Sequence, residues 1–218
     1  MIIAIDGPAG SGKSTIARLI AKDKGLIYLD TGAMYRLVTL KALNKGILGN
    51  NDLNYLEEIK KLLDNLNIDI KENGFYLDDV DVSEEIRKPV VSENVSDVAA
   101  IREVREKMVD LQRKFSESKD VILDGRDIGT VVFPNADLKV FLVADARERA
   151  NRRYKELTEK GENVSLEEIY QNILMRDKID STREEAPLKK AEDAIEVYTT
   201  SKNIAEVKEE ILNLYKNL

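Results

Sequence analysis

The sequence predicts a doubly wound α/β fold on a five-stranded parallel sheet, and three observations carry that prediction. Five short apolar runs, Ile2 to Ile5, Leu26 to Leu29, Val121 to Leu123, Leu138 to Val143 and Ala194 to Tyr198, suit strands buried on both faces. Helix-period segments lie between them, the alternation that a parallel sheet requires. Polar clusters follow the first three runs: Gly7 to Ser14, Asp30-Thr31-Gly32 and Asp124-Gly125-Arg126-Asp127. Ligands of such folds bind beyond the carboxyl ends of the strands, so the three clusters crowd one sheet edge.

The first cluster is the most informative. Gly7-Pro8-Ala9-Gly10-Ser11-Gly12-Lys13-Ser14 matches the phosphate-binding pattern G-x-x-x-x-G-K-[ST] at every fixed position. Backbone N–H groups of such a loop converge on the α- and β-phosphates, the lysine reaches the β- and γ-oxygens, and the hydroxyl after it ligates Mg²⁺. The context is present too. A strand precedes the loop, and Thr15 to Lys24 places Ile16, Leu19 and Ile20 at helical spacing before Gly25 stops it. The helix then aims its positive end at the anion.

The second run is followed by a helix over Ala33 to Asn44, with Asn44-Lys45-Gly46 reading as its C-terminus stopped by glycine. About 90 residues separate the second and third runs, where a minimal crossover needs roughly 10 to 12, so an insertion is expected. Within it Leu53 to Leu66 reads as a helix, with Leu56, Ile59, Leu62, Leu63 and Leu66 on one face. Ile68 to Ile70, Phe75 to Leu77 and Val80 to Val82 alternate around Asn73-Gly74 and Asp78-Asp79 turns, which predicts a small antiparallel sheet. Ser83 to Arg87, up to Pro89, reads as a turn and helix start. Val91 to Phe115 is either one long amphipathic helix or a broken pair.

The segment from Ala146 to Arg183 is rich in arginine. Arg149, Arg152 and Arg153, spaced i, i+3, i+4, share one helix face. Gly161 closes that helix, Ser165-Leu166-Glu167-Glu168 is a capping box for the next, and Arg176, Asp180 and Arg183 lie at its far end. Taken alone, the cationic face is a solvated surface interleaved with Glu148, Glu156 and Glu159. Beside a phosphate-binding loop it reads as a lid whose arginines stabilise a transferring phosphoryl group and exclude water. Asp124 is placed to hold Mg²⁺ through water and Arg126 to clamp an acceptor phosphate; an ordinary βα turn with a local ion pair is the competing reading.

Composition narrows the chemistry. With 218 residues the chain can bury one sizeable core. The absence of Cys and His excludes disulfides, thiolate nucleophiles, histidine bases and the commonest zinc ligands, leaving Lys, Arg, carboxylates and a bound metal. A formal net charge of -7 argues against a general nucleic-acid binder. No apolar run approaches a membrane span and the first residues enter a strand directly, so a cytoplasmic protein is expected.

Several runs together give a closer likeness. Ile5-Asp6-Gly7-Pro8 with its loop, Asp30-Thr31-Gly32-Ala33-Met34-Tyr35-Arg36, Ser83-Glu84-Glu85-Ile86-Arg87, Asp124 to Pro134 and Ala186-Pro187-Leu188 make the chain resemble the bacterial cytidylate kinases nearly end to end. The resemblance implies a P-loop nucleoside monophosphate kinase fold in a single domain: a core of about 1–30, 116–145 and 186–218, a monophosphate-binding insertion of about 31–115 and a lid of about 146–185. It implies ATP as donor, Mg²⁺, CMP or dCMP as acceptor, and a monomer without nucleic-acid or membrane partners. ATP would lie on Gly7 to Thr15 (Gly7, Pro8, Ala9, Gly10, Ser11, Gly12, Lys13, Ser14 and Thr15). By matching position Ser96, Arg105 and Asp127 are base contacts, Thr31, Tyr35, Arg36, Arg126 and Arg176 neighbours of the acceptor phosphate, and Asp180 and Arg183 contacts to sugar or phosphates. Catalytic roles fall to Lys13, Arg126 and one or more of Arg149, Arg152 and Arg153; metal roles to Ser14 directly and Asp124 through water. A kinase for another monophosphate or small metabolite, and more weakly a nucleotide-binding switch, are the other readings.

Overall fold

The computed structural model describes residues 1–48, 54–71 and 74–216. In chain order the elements are β1 (Ile2–Asp6), α1 (Lys13–Lys24), β2 (Ile27–Asp30), α2 (Thr31–Asn44), α3 (Tyr55–Asp64), β3 (Ile68–Lys71), β4 (Gly74–Leu77), β5 (Val80–Asp81), α4 (Pro89–Ala100), α5 (Arg102–Ser116), β6 (Val121–Gly125), β7 (Leu138–Val143), α6 (Ala146–Glu159), α7 (Leu166–Thr182), β8 (Ile195–Tyr198) and α8 (Ile204–Tyr215). A 3₁₀ turn covers Glu85–Arg87 and a π-type turn Ile128–Val132.

Residues Met1–Asp30 and Arg113–Leu218 form one compact unit. Its five strands run parallel in the order β2-β6-β1-β7-β8. Ile5 pairs with Asp124 and Asp30 also pairs with Asp124, so β1, β2 and β6 end level and deliver their polar clusters to one edge. Ile3, Ile5, Ile16, Ile20, Ile122, Leu142, Val197 and Ile211 fill the core beneath that edge. The doubly wound sheet expected from the apolar runs is therefore the observed fold. The β2 strand starts at Ile27 instead of Leu26, because Leu26 N–H turns back to the Ala21 carbonyl at 2.9 Å while Gly25, at φ 65, ends α1.

Residues Thr31–Gln112 form a second unit. It holds the expected antiparallel sheet, in the order β3-β4-β5, packed with α2 and α4 around Leu37, Leu77, Val82, Ile86 and Val91. The Leu53 start of the helix and Asn73 of the hairpin lie outside the described residues. The 91–115 segment is the broken pair, not one long helix: Ile101 takes an extended conformation, φ -72 and ψ 123, between α4 and α5.

One cap differs from expectation. Ser165 Oγ accepts from Glu168 N–H at 3.4 Å, but among the described residues only Asn203 with Glu206 makes both bonds of a capping box, at the start of α8.

Candidate functional site: a phosphate-binding loop with an arginine–carboxylate edge

The loop between β1 and α1 is shaped by its glycines. Gly7 has φ 150, and a Cβ there would lie 2.5 Å from the Leu142 carbonyl oxygen, so the backbone can turn off β1 only with hydrogen at that position. Gly12 precedes α1 in the left-handed region, offers no side-chain acceptor, and no acidic residue follows in the first turn. The N–H groups at this end are thus left for an anion. Lys13 is buried; its ammonium donates to the Pro8 carbonyl at 2.7 Å and to Ser11 Oγ at 3.4 Å. Burial, and then the charge of Arg126, lower its pKa, a shift that a polyphosphate beside it would reverse. Thr15, by contrast, is exposed.

Next to the loop, Asp124 is buried and doubly held. Ser14 Oγ donates to its Oδ2 at 2.8 Å and the Tyr28 hydroxyl to its Oδ1 at 2.6 Å. Burial, and next Asp30, push the Asp124 carboxyl above the ordinary carboxylate range. A cation beside it would offset both. Adjacent hydroxyl and carboxylate oxygens, with phosphate and water completing the shell, are the donor set Mg²⁺ prefers, so these residues fit the metal. Tyr28 has no counterpart in the sequence reading. Its partner is 96 residues away, and its own burial, with the charge of Asp124, keeps the phenol protonated as a permanent donor.

Beyond β6 the same unit gathers the core's acceptor-side candidates. Arg126 Nε donates to Asp180 Oδ2 at 2.9 Å. Burial opposes the charge of Arg126, but Asp180, with the charges of Asp124 and Asp177, outweighs it and raises the guanidinium's pKa. The same pair holds Asp180 below its usual value despite burial. Arg176 is less well served: burial, then Arg126, bring its pKa down to about 10, and its Nε is buried with no hydrogen-bond partner among the described residues. Asp127 lies 3.7 Å from Arg183, whose guanidinium also donates to the Ala186 carbonyl through Nε at 2.9 Å and a terminal nitrogen at 2.6 Å.

The three arginines of α6 have separate surroundings. Arg149 is buried and donates to the Ala144 carbonyl at 3.0 Å and to the loop carbonyl of Ala9 at 2.9 Å, while pairing with Asp177 of α7. Gly10, at φ 76, would place a Cβ 3.3 Å from the Arg149 Cβ, so side chain and loop are in close packing. Arg152 bonds Glu148 at 3.0 Å and the Thr199 carbonyl at 2.5 Å. Arg153 pairs with Glu156 at 2.8 Å, and its charge also reaches Arg176.

In the second unit, α2, α4 and the start of α5 set the remaining candidates. Thr31, Tyr35, Ser96 and Arg105 are buried. The Arg105 guanidinium lies 5.3 Å from the centre of the Tyr35 ring and donates to the Ala99 carbonyl at 3.1 Å. Arg36 donates to the Ile86 carbonyl at 3.0 Å and to Ser92 Oγ at 2.8 Å.

Comparison with known proteins agrees with this chemistry. The family model for cytidylate kinase matches residues 3–217. A cytidylate kinase of Clostridioides difficile (strain 630) is 55% identical over 213 residues, covering 98% of this chain and 97% of its own length. One of Fusobacterium nucleatum subsp. nucleatum is 56% identical, covering 95% and 93%. The crystal structure of an uncharacterized protein from Eubacterium ventriosum aligns with a TM-score of 0.53 at 14% identity, covering 100% of this chain and 99% of that one, a likeness of fold alone. With residues 3–217 matched by the family model and relatives more than half identical over nearly the full chain, the chain belongs to the cytidylate kinase family.

Proposed function

We propose that the chain transfers the γ-phosphoryl group of Mg-ATP to the 5′-phosphate of CMP or dCMP, releasing ADP and CDP or dCDP. The observation that carries this reading lies on the core's edge. Arg126 and the incompletely bonded Arg176 are close enough to repel one another, and they stand in the unit that carries the phosphate-binding loop. Half-buried arginines in that condition are stabilised by a doubly charged anion, as a nucleoside monophosphate supplies.

Donor and acceptor have separate holders. Lys13 and the amides of Gly7 to Thr15, with Pro8, Ala9, Gly10, Ser11 and Gly12 shaping the loop, take ATP. Ser14 would hold magnesium directly and Asp124 through water, where the ion would neutralise charge on the β- and γ-phosphates. On the acceptor side Arg126, Arg176, Arg36, Thr31 and Tyr35 serve the phosphate, Asp180 and Arg183 the sugar or phosphates, and Asp127, Ser96 and Arg105 the base. Cytosine presents an N4 donor beside N3 and O2 acceptors, which a carboxylate and a guanidinium together read. UMP reverses the first two, so it binds less well.

The acceptor phosphate is already ionised near neutral pH. No strong base is needed, in keeping with a chain that has no His. Positioning and charge neutralisation then carry the rate, by direct in-line transfer without a covalent enzyme intermediate. Arg149 braces the loop, and Arg153, whose charge already reaches Arg176, is the α6 arginine best suited to the transferring group.

All these roles are filled from one chain, which supports action as a monomer. No described helix is long and apolar enough to cross a membrane, in keeping with the cytoplasmic location expected from sequence. With ATP radiolabelled at the γ-phosphate, label should pass to CDP in the presence of CMP. Label found only in orthophosphate would make the protein a nucleotide hydrolase.

A further inference from the structure

Asp6 ends β1, directly before the phosphate-binding loop, and although its charge reaches Lys13, both of its carboxylate oxygens are hydrogen-bonded to a different turn. It is buried, Oδ1 accepts from Ile128 N–H at 2.9 Å, and Oδ2 accepts from Gly129 N–H at 2.7 Å. These are the first two residues of the π-type turn that follows Asp127. The carbonyl of Asp127 is fixed from the other side, by Val131 N–H at 2.9 Å and Val132 N–H at 3.2 Å. Arg113 then takes the turn's last carbonyls, Val132 through Nε at 3.0 Å and Val131 through a terminal nitrogen at 2.9 Å. Asp127 therefore stands between the end of β6, paired through Gly125 to Asp6, and a turn whose first two N–H groups the Asp6 carboxylate holds.

We propose that Asp6 is a positioning residue for acceptor specificity: it ties the strand that carries the ATP loop to the turn that presents Asp127 to the cytosine. The inference rests on the reading of Asp127 as a base contact. Its chemistry is specific to a carboxylate. Two adjacent N–H donors need two acceptor oxygens, and an amide offers one acceptor and one donor, so Asn at this position sets N–H against N–H. A water cannot easily substitute in a site this buried. Burial, with Asp127 adding repulsion, pushes the carboxyl up to about 6 against the pull of the two N–H bonds and Lys13, so the group is kept here at a cost to stability. A residue needed only to fill space would be apolar.

The test compares kcat/KM for CMP and for UMP in the wild type, Asp6→Asn and Asp127→Ala, with KM for ATP measured alongside. The ratio of the two acceptors cancels any loss of folded enzyme, so a purely structural role leaves it unmoved. We expect Asp6→Asn to lower the CMP-to-UMP ratio about tenfold, mainly through KM for CMP, with KM for ATP within about twofold of wild type. If Asp127→Ala erodes the ratio and Asp6→Asn does not, the role given to Asp6 is overturned. If Asp127→Ala itself leaves the ratio intact, the base-contact reading falls, and this inference with it. A rise in KM for ATP equal to that for CMP would make Asp6 a support of the loop instead.

Should Asp6→Asn fail to fold, Gly129→Ala disturbs the same turn with the carboxylate retained. Its Cβ would stand 3.1 Å from Lys139 Cδ and 3.4 Å from Asp6 Oδ2, forcing a shift of a few tenths of an ångström. A smaller erosion of the ratio, about threefold, is then expected. An unchanged ratio overturns the proposal.

Discussion

Arg126 and Asp180 form a 2.9 Å charge-assisted bond between the end of β6 and α7, and each shifts the other toward its charged form against the effect of burial. Asp180 also moderates the repulsion between Arg126 and Arg176. Asp180→Ala should therefore cost about 3 kcal/mol of unfolding free energy, because it strands a partly buried cation. KM for CMP should rise tenfold or more, with KM for ATP little changed. Urea unfolding and acceptor kinetics check both; equal effects on the two substrates would remove Asp180 from the acceptor side. Added phosphate should stabilise this variant more than the wild type, since it replaces the lost negative charge.

Tyr28→Phe deletes the phenol that donates to Asp124 Oδ1. A hydrogen bond to a buried charged carboxylate is worth about 2 kcal/mol, which sets the expected loss in a urea titration. The dependence of rate on Mg²⁺ should shift to higher concentration by several-fold, because the carboxylate loses the donor that fixes its Oδ1. An unchanged Mg²⁺ dependence would confine Tyr28 to packing.

Arg149 and Arg153 should give opposite patterns. Arg149→Lys keeps the charge but cannot reach Ala9, Ala144 and Asp177 together, so both stability and kcat/KM for ATP should fall, the latter by about tenfold or more. Arg153→Ala removes a half-exposed surface pair, for which a stability change below about 0.5 kcal/mol is usual. Its kcat should nonetheless drop by about tenfold or more, as for an arginine that stabilises a phosphoryl group. A full kcat in Arg153→Ala would take it out of the reaction.

Asp6 links stability to pH. Its pKa is about 6 in the folded protein against 3.8 in the unfolded chain, so between these values the native state keeps a proton that the unfolded state has released. Stability from this group is therefore highest in acid and declines as pH rises toward 6. Asp6→Asn does not titrate. The stability of the wild type relative to Asp6→Asn should fall by about 2 kcal/mol between pH 4.5 and pH 7, and urea midpoints measure it directly. Taking the difference cancels Asp124, which shifts in the same direction. A difference independent of pH would contradict the burial described for Asp6.

What was legible in the sequence is what depends on near neighbours along the chain. Gly7 to Ser14 declares itself because its turn, its lysine and its hydroxyl are contiguous, and the five apolar runs lie within a residue or two of the observed strands. Ile101 left the 91–115 segment open between one helix and two, since its apolar side chain fits the helical pattern while its backbone does not. Contacts made across the fold left no local trace. Tyr28 is one more apolar-looking strand residue until Asp124 meets its hydroxyl. The shared face of Arg149, Arg152 and Arg153 could not tell which arginine reaches the Ala9 carbonyl, which reaches Thr199, and which stays on the surface with Glu156. Asp6 looked like part of the loop motif, although both its oxygens serve a turn 122 residues away.

The most direct test of the account is ADP formation, followed in a coupled assay, with CMP, dCMP, UMP, AMP, GMP and shikimate as acceptors. CMP or dCMP should give the highest kcat/KM, with UMP lower. A preference for AMP or shikimate would contradict the acceptor assignment, and ADP formation that no acceptor stimulates would contradict the kinase itself.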